Sequence, residues 1–134
     1  MASSAKPKVL VVDDEPDMLD FLERVLRRRF DVYRTGNAQQ ALAWLEAGDF
    51  AVLVTDQKMP RLTGLDLLDR IGDRYPKLVK ILISGFTDVP DIERAAAQGR
   101  IHNYVLKPVD GERLLEAIDE AYAARDRRAP APAD

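Results

Sequence analysis

The chain repeats one unit five times, a short apolar run followed by a stretch with helical spacing. The runs are Val9-Leu10-Val11-Val12, Phe30 to Thr35, Phe50 to Val54, Leu78 to Ile83 and Tyr104-Val105-Leu106. Four of them are brief and apolar but for Lys80, several rich in β-branched residues, the pattern of strands buried on both faces. Only Phe30-Asp31-Val32-Tyr33-Arg34-Thr35 alternates, which predicts an edge strand with one wet face. Strands alternating with helices predict a parallel sheet covered on both sides and joined by right-handed crossovers.

The intervening segments carry helix punctuation. Pro16 suits a first turn, with Glu15 and Asp17 complementing the dipole, and Met18, Leu19, Leu22, Val25 and Leu26 mark one face. Arg27-Arg28-Arg29 closes that helix. Cations at a helix C-terminus are the commoner reason for such a run, a nucleic-acid patch the rarer one. Gly36 turns the chain, Asn37 caps the second helix with Gln40 three residues on as in a capping box, and Gly48 stops it. Ala41, Leu42, Trp44 and Leu45 form its apolar side. Thr63 caps the third helix, Leu65, Leu68 and Ile71 face inward, and Tyr75-Pro76 ends it. Asp88 and Pro90 open the fourth, whose apolar face of Ile92, Ala95 and Ala96 is thin, so it is predicted to be the least stable element; Gly99 ends it. Asp110 caps the fifth, with Leu114, Leu115, Ile118 and Tyr122 inward. The fold class predicted is α/β, a five-stranded parallel sheet of order 2-1-3-4-5 flanked by five helices, the flavodoxin-like arrangement. Residues 1–7 read as a flexible N-terminus, 8–125 as one domain, and 126–134, charged and then rich in Pro and Ala, as a tail or linker.

Composition removes several classes. A net charge of −3 gives no global basic field for nucleic acid or an anionic membrane. The chain has no cysteine, so disulfide frameworks and thiolate metal sites are excluded. No run approaches the ~20 apolar residues of a membrane span, and no signal peptide is evident, so a cytoplasmic location is expected.

In a parallel sheet all strands end at one edge, where such sheets bind ligands. The first strand ends on Asp13-Asp14-Glu15, the third on Asp56, the fourth on Ser84, and the fifth on Lys107-Pro108. Asp56 alone could simply start a turn. Together, however, three crowded carboxylates repel, at roughly 4 kcal/mol per pair about 4 Å apart. A hard divalent cation such as Mg²⁺ relieves this, and it commonly shares its shell with a phosphate. Lys107 adds a point charge able to pair with Asp56 or a phosphoryl oxygen, and Ser84 a hydroxyl donor to the same oxygen. The set reads as a phosphoryl-transfer site with an aspartate nucleophile.

On these residues the chain resembles the receiver domain of two-component response regulators. The resemblance runs from Lys8 to about Arg125 and rests on four motifs. These are Val-Val-Asp13-Asp14-Glu15-Pro16, Asp56-Gln57-Lys58-Met59-Pro60 with Gly64, Ser84-Gly85, and Tyr104-Val-Leu-Lys107-Pro108. It implies Asp56 as phosphoacceptor, with a sensor histidine kinase or phosphotransfer protein as donor. It implies Mg²⁺ bound by Asp14, Asp56 and the backbone carbonyl of Lys58, with Asp13 acting through a metal-bound water. Ser84 and Lys107 would contact the phosphoryl group, and Tyr104 would be the aromatic switch that turns inward when Ser84 moves. The Lys107–Pro108 bond would be cis. The output surface would be the fourth helix, fifth strand and fifth helix, docking a partner, an output domain or, after phosphorylation, a second copy. Gln57-Lys58-Met59-Pro60 with Gly99-Arg100-Ile101 resembles receivers joined to cyclic-dinucleotide phosphodiesterases and some in hybrid kinases. The only histidine, His102, reads as exposed and structural.

Other classes fit less well. A haloacid-dehalogenase-type phosphatase needs an acid-base carboxylate two residues after the nucleophile, where Lys58 stands. A P-loop nucleotidase needs a Gly-x-x-x-x-Gly-Lys-Ser/Thr sequence, which is absent. A flavodoxin would meet an acidic first loop, hostile to the cofactor phosphate. An interaction module that is never phosphorylated is the remaining alternative. Neither an enzyme acting on an external substrate nor direct contact with nucleic acid or membrane is expected. No output domain is expected within these residues.

Overall fold

The computed structural model describes residues 6–128. The expected flexible residues 1–5 and the tail residues 129–134 lie outside the described residues. Five strands alternate with five helices: β1 Lys8–Val12, α1 Pro16–Leu26, β2 Asp31–Thr35, α2 Ala38–Ala47, β3 Val52–Asp56, α3 Gly64–Ile71, β4 Val79–Ser84, α4 Val89–Ala97, β5 Asn103–Leu106 and α5 Gly111–Arg128. The strands form one parallel sheet in the order β2-β1-β3-β4-β5. A single 3-10 turn, Phe86–Asp88, leads into α4.

Side-chain alternation along the strands divides the interior into two layers. Val9, Val11, Val52, Val54, Val79, Ile81, Ile83 and Val105 meet Leu22 and Leu26 of α1 and Leu114, Ala117 and Ile118 of α5. Leu10, Val12, Leu53 and Leu82 meet Ala41 and Leu45 of α2, Leu65, Leu67, Leu68 and Ile71 of α3, and Ile92 and Ala95 of α4. The sheet therefore presents only Val and Ile to the first layer and mostly Leu to the second.

Several local expectations change in three dimensions. β2 is an edge strand, but neither of its faces is fully wet. Val32 packs on the first layer and Tyr33 on the second, where it meets Trp44 and Phe50 edge-on. Arg34 bridges to Asp20 and Glu23 of α1. Those exposed ion pairs contribute at most about 1 kcal/mol each, so apolar packing is what seats β2. The capping box of α2 is only half formed: Asn37 Oδ1 accepts from Gln40 N, while the Gln40 side chain accepts from Thr35 Oγ1. The complete box belongs to α3, between Thr63 and Asp66. α3 ends at Ile71 rather than at Tyr75-Pro76, because Gly72 takes a positive φ there. β3 begins at Val52, Phe50 having joined the aromatic cluster. α4 has a small buried face, Ile92 and Ala95, and ends in a Schellman motif. Gly99, at φ +79°, donates to Ala96 O and Arg100 to Ala95 O. α5 runs on to Arg128, so residues 126–128 are helical. No helix among the described residues is long and apolar enough to cross a membrane.

Candidate functional site

The ladder continues one residue past the ends of the strands that carry the expected site residues. Asp13 N donates to Thr35 O at 3.1 Å, Gln57 N to Ile83 O at 2.8 Å and Lys107 N to Ser84 O at 2.8 Å. The site is thus hung from backbone that the sheet holds, rather than from free loops. Asp13 and Asp56 are 1% and 3% exposed, while Asp14 points into solvent. One ligand oxygen from each of the three lies within 4.8 Å of the others.

The electrostatics are unfavourable as they stand. Burial first, then the Asp56 and Asp14 charges, push the Asp13 carboxyl up to about 6, against the lowering effects of Lys107 and of the Glu15 N–H that donates to Asp13 Oδ1 at 2.9 Å. Burial likewise raises Asp56, and Lys107 pulls it partly back. Lys107 Nζ sits 2.9 Å from Asp56 Oδ1. Burial works against this ammonium, but Asp56 first, then Asp13 and Glu15, outweigh it and leave its pKa raised. The Lys107–Asp56 contact is an ion pair without an aligned hydrogen bond. Asp13 Oδ2 and Asp56 Oδ1 are buried acceptors that receive no hydrogen bond among the described residues. Buried carboxylate oxygens without an aligned donor are rare in folded proteins. These two, beside an exposed third carboxylate, form an oxygen-only donor set open on one side, which fits a hard divalent cation such as Mg²⁺.

The remaining expected residues are distributed as follows. The Lys58 side chain is exposed. Its carbonyl belongs to a loop fastened at both ends: Gly64 N donates to Gln57 O at 3.0 Å, and Leu65 N to Gln57 Oε1 at 2.8 Å. Within that loop Arg61 adopts φ +72°, a left-handed conformation uncommon for a side chain of its size. The Lys107–Pro108 bond is cis. Ser84 is 1% exposed at the end of β4, but its hydroxyl is turned to Asp88 Oδ2, at 2.8 Å. Tyr104 is half-buried, paired with Leu82 across β4–β5 and packed on the second layer.

Two participants escaped the sequence reading. Gln57 was read only as part of a motif, although its side chain secures the loop that carries Lys58. Asp88 was read as the cap of α4, yet it makes no capping hydrogen bond and holds Ser84 instead. The available signal was a carboxylate four residues beyond a strand-end serine.

Comparison with known proteins agrees with this arrangement. The description "response regulator receiver domain" matches residues 9–119. The chain is 37% identical over 123 residues to a hydrogenase transcriptional regulatory protein, HoxA, of Cupriavidus necator, covering 92% of this chain and 26% of that protein. It is 34% identical over 122 residues to the chemotaxis protein CheY of Pseudomonas aeruginosa, covering 86% of this chain and 95% of that one. A solved response regulator receiver domain from Clostridium thermocellum superposes with a TM-score of 0.78 at 29% identity, over 90% of this chain and 98% of that chain. The chain spans about a quarter of the length of HoxA from Cupriavidus necator and from Bradyrhizobium diazoefficiens. In sheet order, in the residues at its strand ends and in sequence along most of its length, the chain belongs to the response regulator receiver family of two-component signalling.

Proposed function

We propose that Asp56 accepts a phosphoryl group from a histidine kinase or a phosphotransfer protein in the cytoplasm, and that residues 8–125 pass this on as a change of surface. The observation that carries the reading is the cluster itself: three carboxylates with ligand oxygens within 4.8 Å, and Lys107 Nζ 2.9 Å from Asp56 Oδ1. An Asp56 carboxylate oxygen attacks phosphorus, and the bond from phosphorus to the donor's imidazole nitrogen breaks, its electron pair staying on nitrogen. Lys107 stands where the incoming phosphoryl oxygens gather charge, and Ser84 supplies a hydroxyl donor from the end of β4. Mg²⁺, held by Asp14, Asp56 and the Lys58 carbonyl, with Asp13 through water, would neutralise those oxygens. Movement of Ser84 opens space for Tyr104 to turn inward, altering the face of α4, β5 and α5 that meets an output domain, a separate target or a second copy. Direct contact with nucleic acid or membrane plays no part in this reading.

Incubation with acetyl phosphate and Mg²⁺, followed by intact mass, tests it. One added phosphoryl group is expected, and none in Asp56→Asn. An unmodified wild-type mass would leave the phosphorylation-independent interaction module as the better reading.

The metal site makes a graded prediction. Asp14→Ala should weaken Mg²⁺ binding on the order of 100-fold, and Asp13→Ala about tenfold, because loss of an outer contact costs less than loss of a ligand. Titration of Trp44 fluorescence or calorimetry would read this. Equal affinities in wild type and Asp14→Ala would count against the site.

A further inference from the structure

The Ser84 hydroxyl has one proton to give. It donates that proton to Asp88 Oδ2 at 2.8 Å, a charge-assisted bond; among the described residues the other acceptor it meets is Gly85 O, 3.3 Å away. The bond closes a short ring from the end of β4, through the 3-10 turn, to the residue that precedes α4. Asp88 occupies the N-cap position of α4 yet caps nothing. Its backbone, at φ −98° and ψ 4°, is far from the extended capping conformation. Pro90 has no N–H, so the Asp91 N–H in the first turn is the natural target for a capping carboxylate.

We propose that Asp88 is a positioning residue that latches Ser84 away from the phosphoryl site in the resting state, and that engagement of the phosphoryl group requires Ser84 to exchange partners. Ser84 cannot donate to Asp88 and to a phosphoryl oxygen at once. The strength of the Asp88 bond therefore subtracts directly from the affinity of the site for its anion. Released, the Asp88 carboxylate is free to turn onto the first turn of α4. One side chain then links occupancy of the site to the geometry of the most thinly anchored helix. The inference rests on the proposed role of Ser84 at the phosphoryl site.

Two coupled cycles on the full chain test it, using Ser84→Ala, Asp88→Asn and the double variant. Asn keeps a capping side chain but offers a neutral, weaker acceptor. In the first cycle, without metal or anion, unfolding equilibria read the latch alone. Loss of the bond by either route should make the second loss nearly free, with a coupling of roughly threefold to tenfold in the unfolding constant. In the second cycle, beryllofluoride with Mg²⁺ is titrated as the phosphoryl mimic. Asp88→Asn should tighten its binding roughly fivefold in the presence of Ser84 and much less with Ala at position 84.

The background comparison is needed because removing a negative charge favours any anion; that general effect would be the same with Ser or Ala at 84. Additive unfolding effects, or an equal gain in both backgrounds, would overturn the latch. A wild type that binds no beryllofluoride would overturn it together with the functional reading. Binding without coupling would overturn the latch alone.

Discussion

Gly64→Ala is expected to destabilise the protein by about 3 kcal/mol or more, lowering Tm by roughly 10 °C. Gly64 is the first residue of α3, and it lies against the end of the strand that carries Asp56. A Cβ there would stand 2.5 Å from the Asp56 carbonyl oxygen, 3.1 Å from its carbonyl carbon and 2.7 Å from Leu82 Cδ1. Leu82 is fully buried, so its Cδ1 could yield only by a change of rotamer. The carbonyl belongs to the central strand and is no freer. Either α3 shifts off the sheet or β3 bends, and both disturb the loop that begins at Gln57. Gly85→Ala is the matched control: nothing lies within 4 Å of its added Cβ and its φ is not in the left-handed region, so its effect should stay within about 0.5 kcal/mol. Thermal and denaturant unfolding of the two variants would check the contrast. A Gly64→Ala protein as stable as Gly85→Ala would mean that the close approach of α3 to Asp56 is not obligatory.

Asp13→Asn should do the opposite. The carboxyl is held at about 6 rather than its ordinary 3.8, chiefly by burial. At 1.36 kcal/mol per pKa unit this corresponds to about 3 kcal/mol against the ionised form. The sign follows from proton linkage. The folded protein binds this proton more tightly than the unfolded chain, so the stability it contributes is full below about pH 3.8 and is lost as pH rises through about 6. Burial raises Asp56 as well, which adds to the same trend. In EDTA at pH 7, Asp13→Asn is therefore expected to raise Tm by roughly 10 °C. Asn keeps the Oδ1 that accepts from Glu15 N, so the turn after β1 survives the change. Below pH 4 the variant and wild type should converge. Melting curves from pH 3.5 to 8 would settle the matter, and parallel curves would show that Asp13 is not the source of the strain. Asp14, the exposed member of the cluster, should yield much less.

The sheet order and the edge where the site lies were legible because their determinants are local and repeated. Val9 to Val12, Leu78 to Ile83 and the rest announce strands by residue type. Parallel topology then carries Asp13, Asp56, Ser84 and Lys107 to one edge without further information. What escaped was the choice of hydrogen-bond partner, which depends on distant neighbours. Asp88 has the type and position of a cap, and only the fold shows that Ser84 lies closer than the N–H groups it would otherwise serve. Gln40 reads as the second half of a capping box until β2 brings Thr35 beside it. His102 reads as exposed, yet it is half-buried and its Nδ1 accepts from Lys80 N at 2.9 Å, a bond across neighbouring strands. The extent of α5 was missed because its last residues are charged, and charge alone does not distinguish a solvated helix from a tail.

The division of the sheet between Val and Ile on one face and mostly Leu on the other gives the molecule unequal mechanical compliance. β-Branched side chains are stiff at χ1, and a face built from eight of them on four strands resists rearrangement. Leu10, Leu53 and Leu82 can change rotamer at lower cost, and they lie beneath α2, α3 and α4. Deformation started at Ser84 meets a rigid backing towards α1 and α5 and a softer bed towards α4. The direction in which the domain yields is thus written into the branching of its strand side chains, ahead of any contact with a partner.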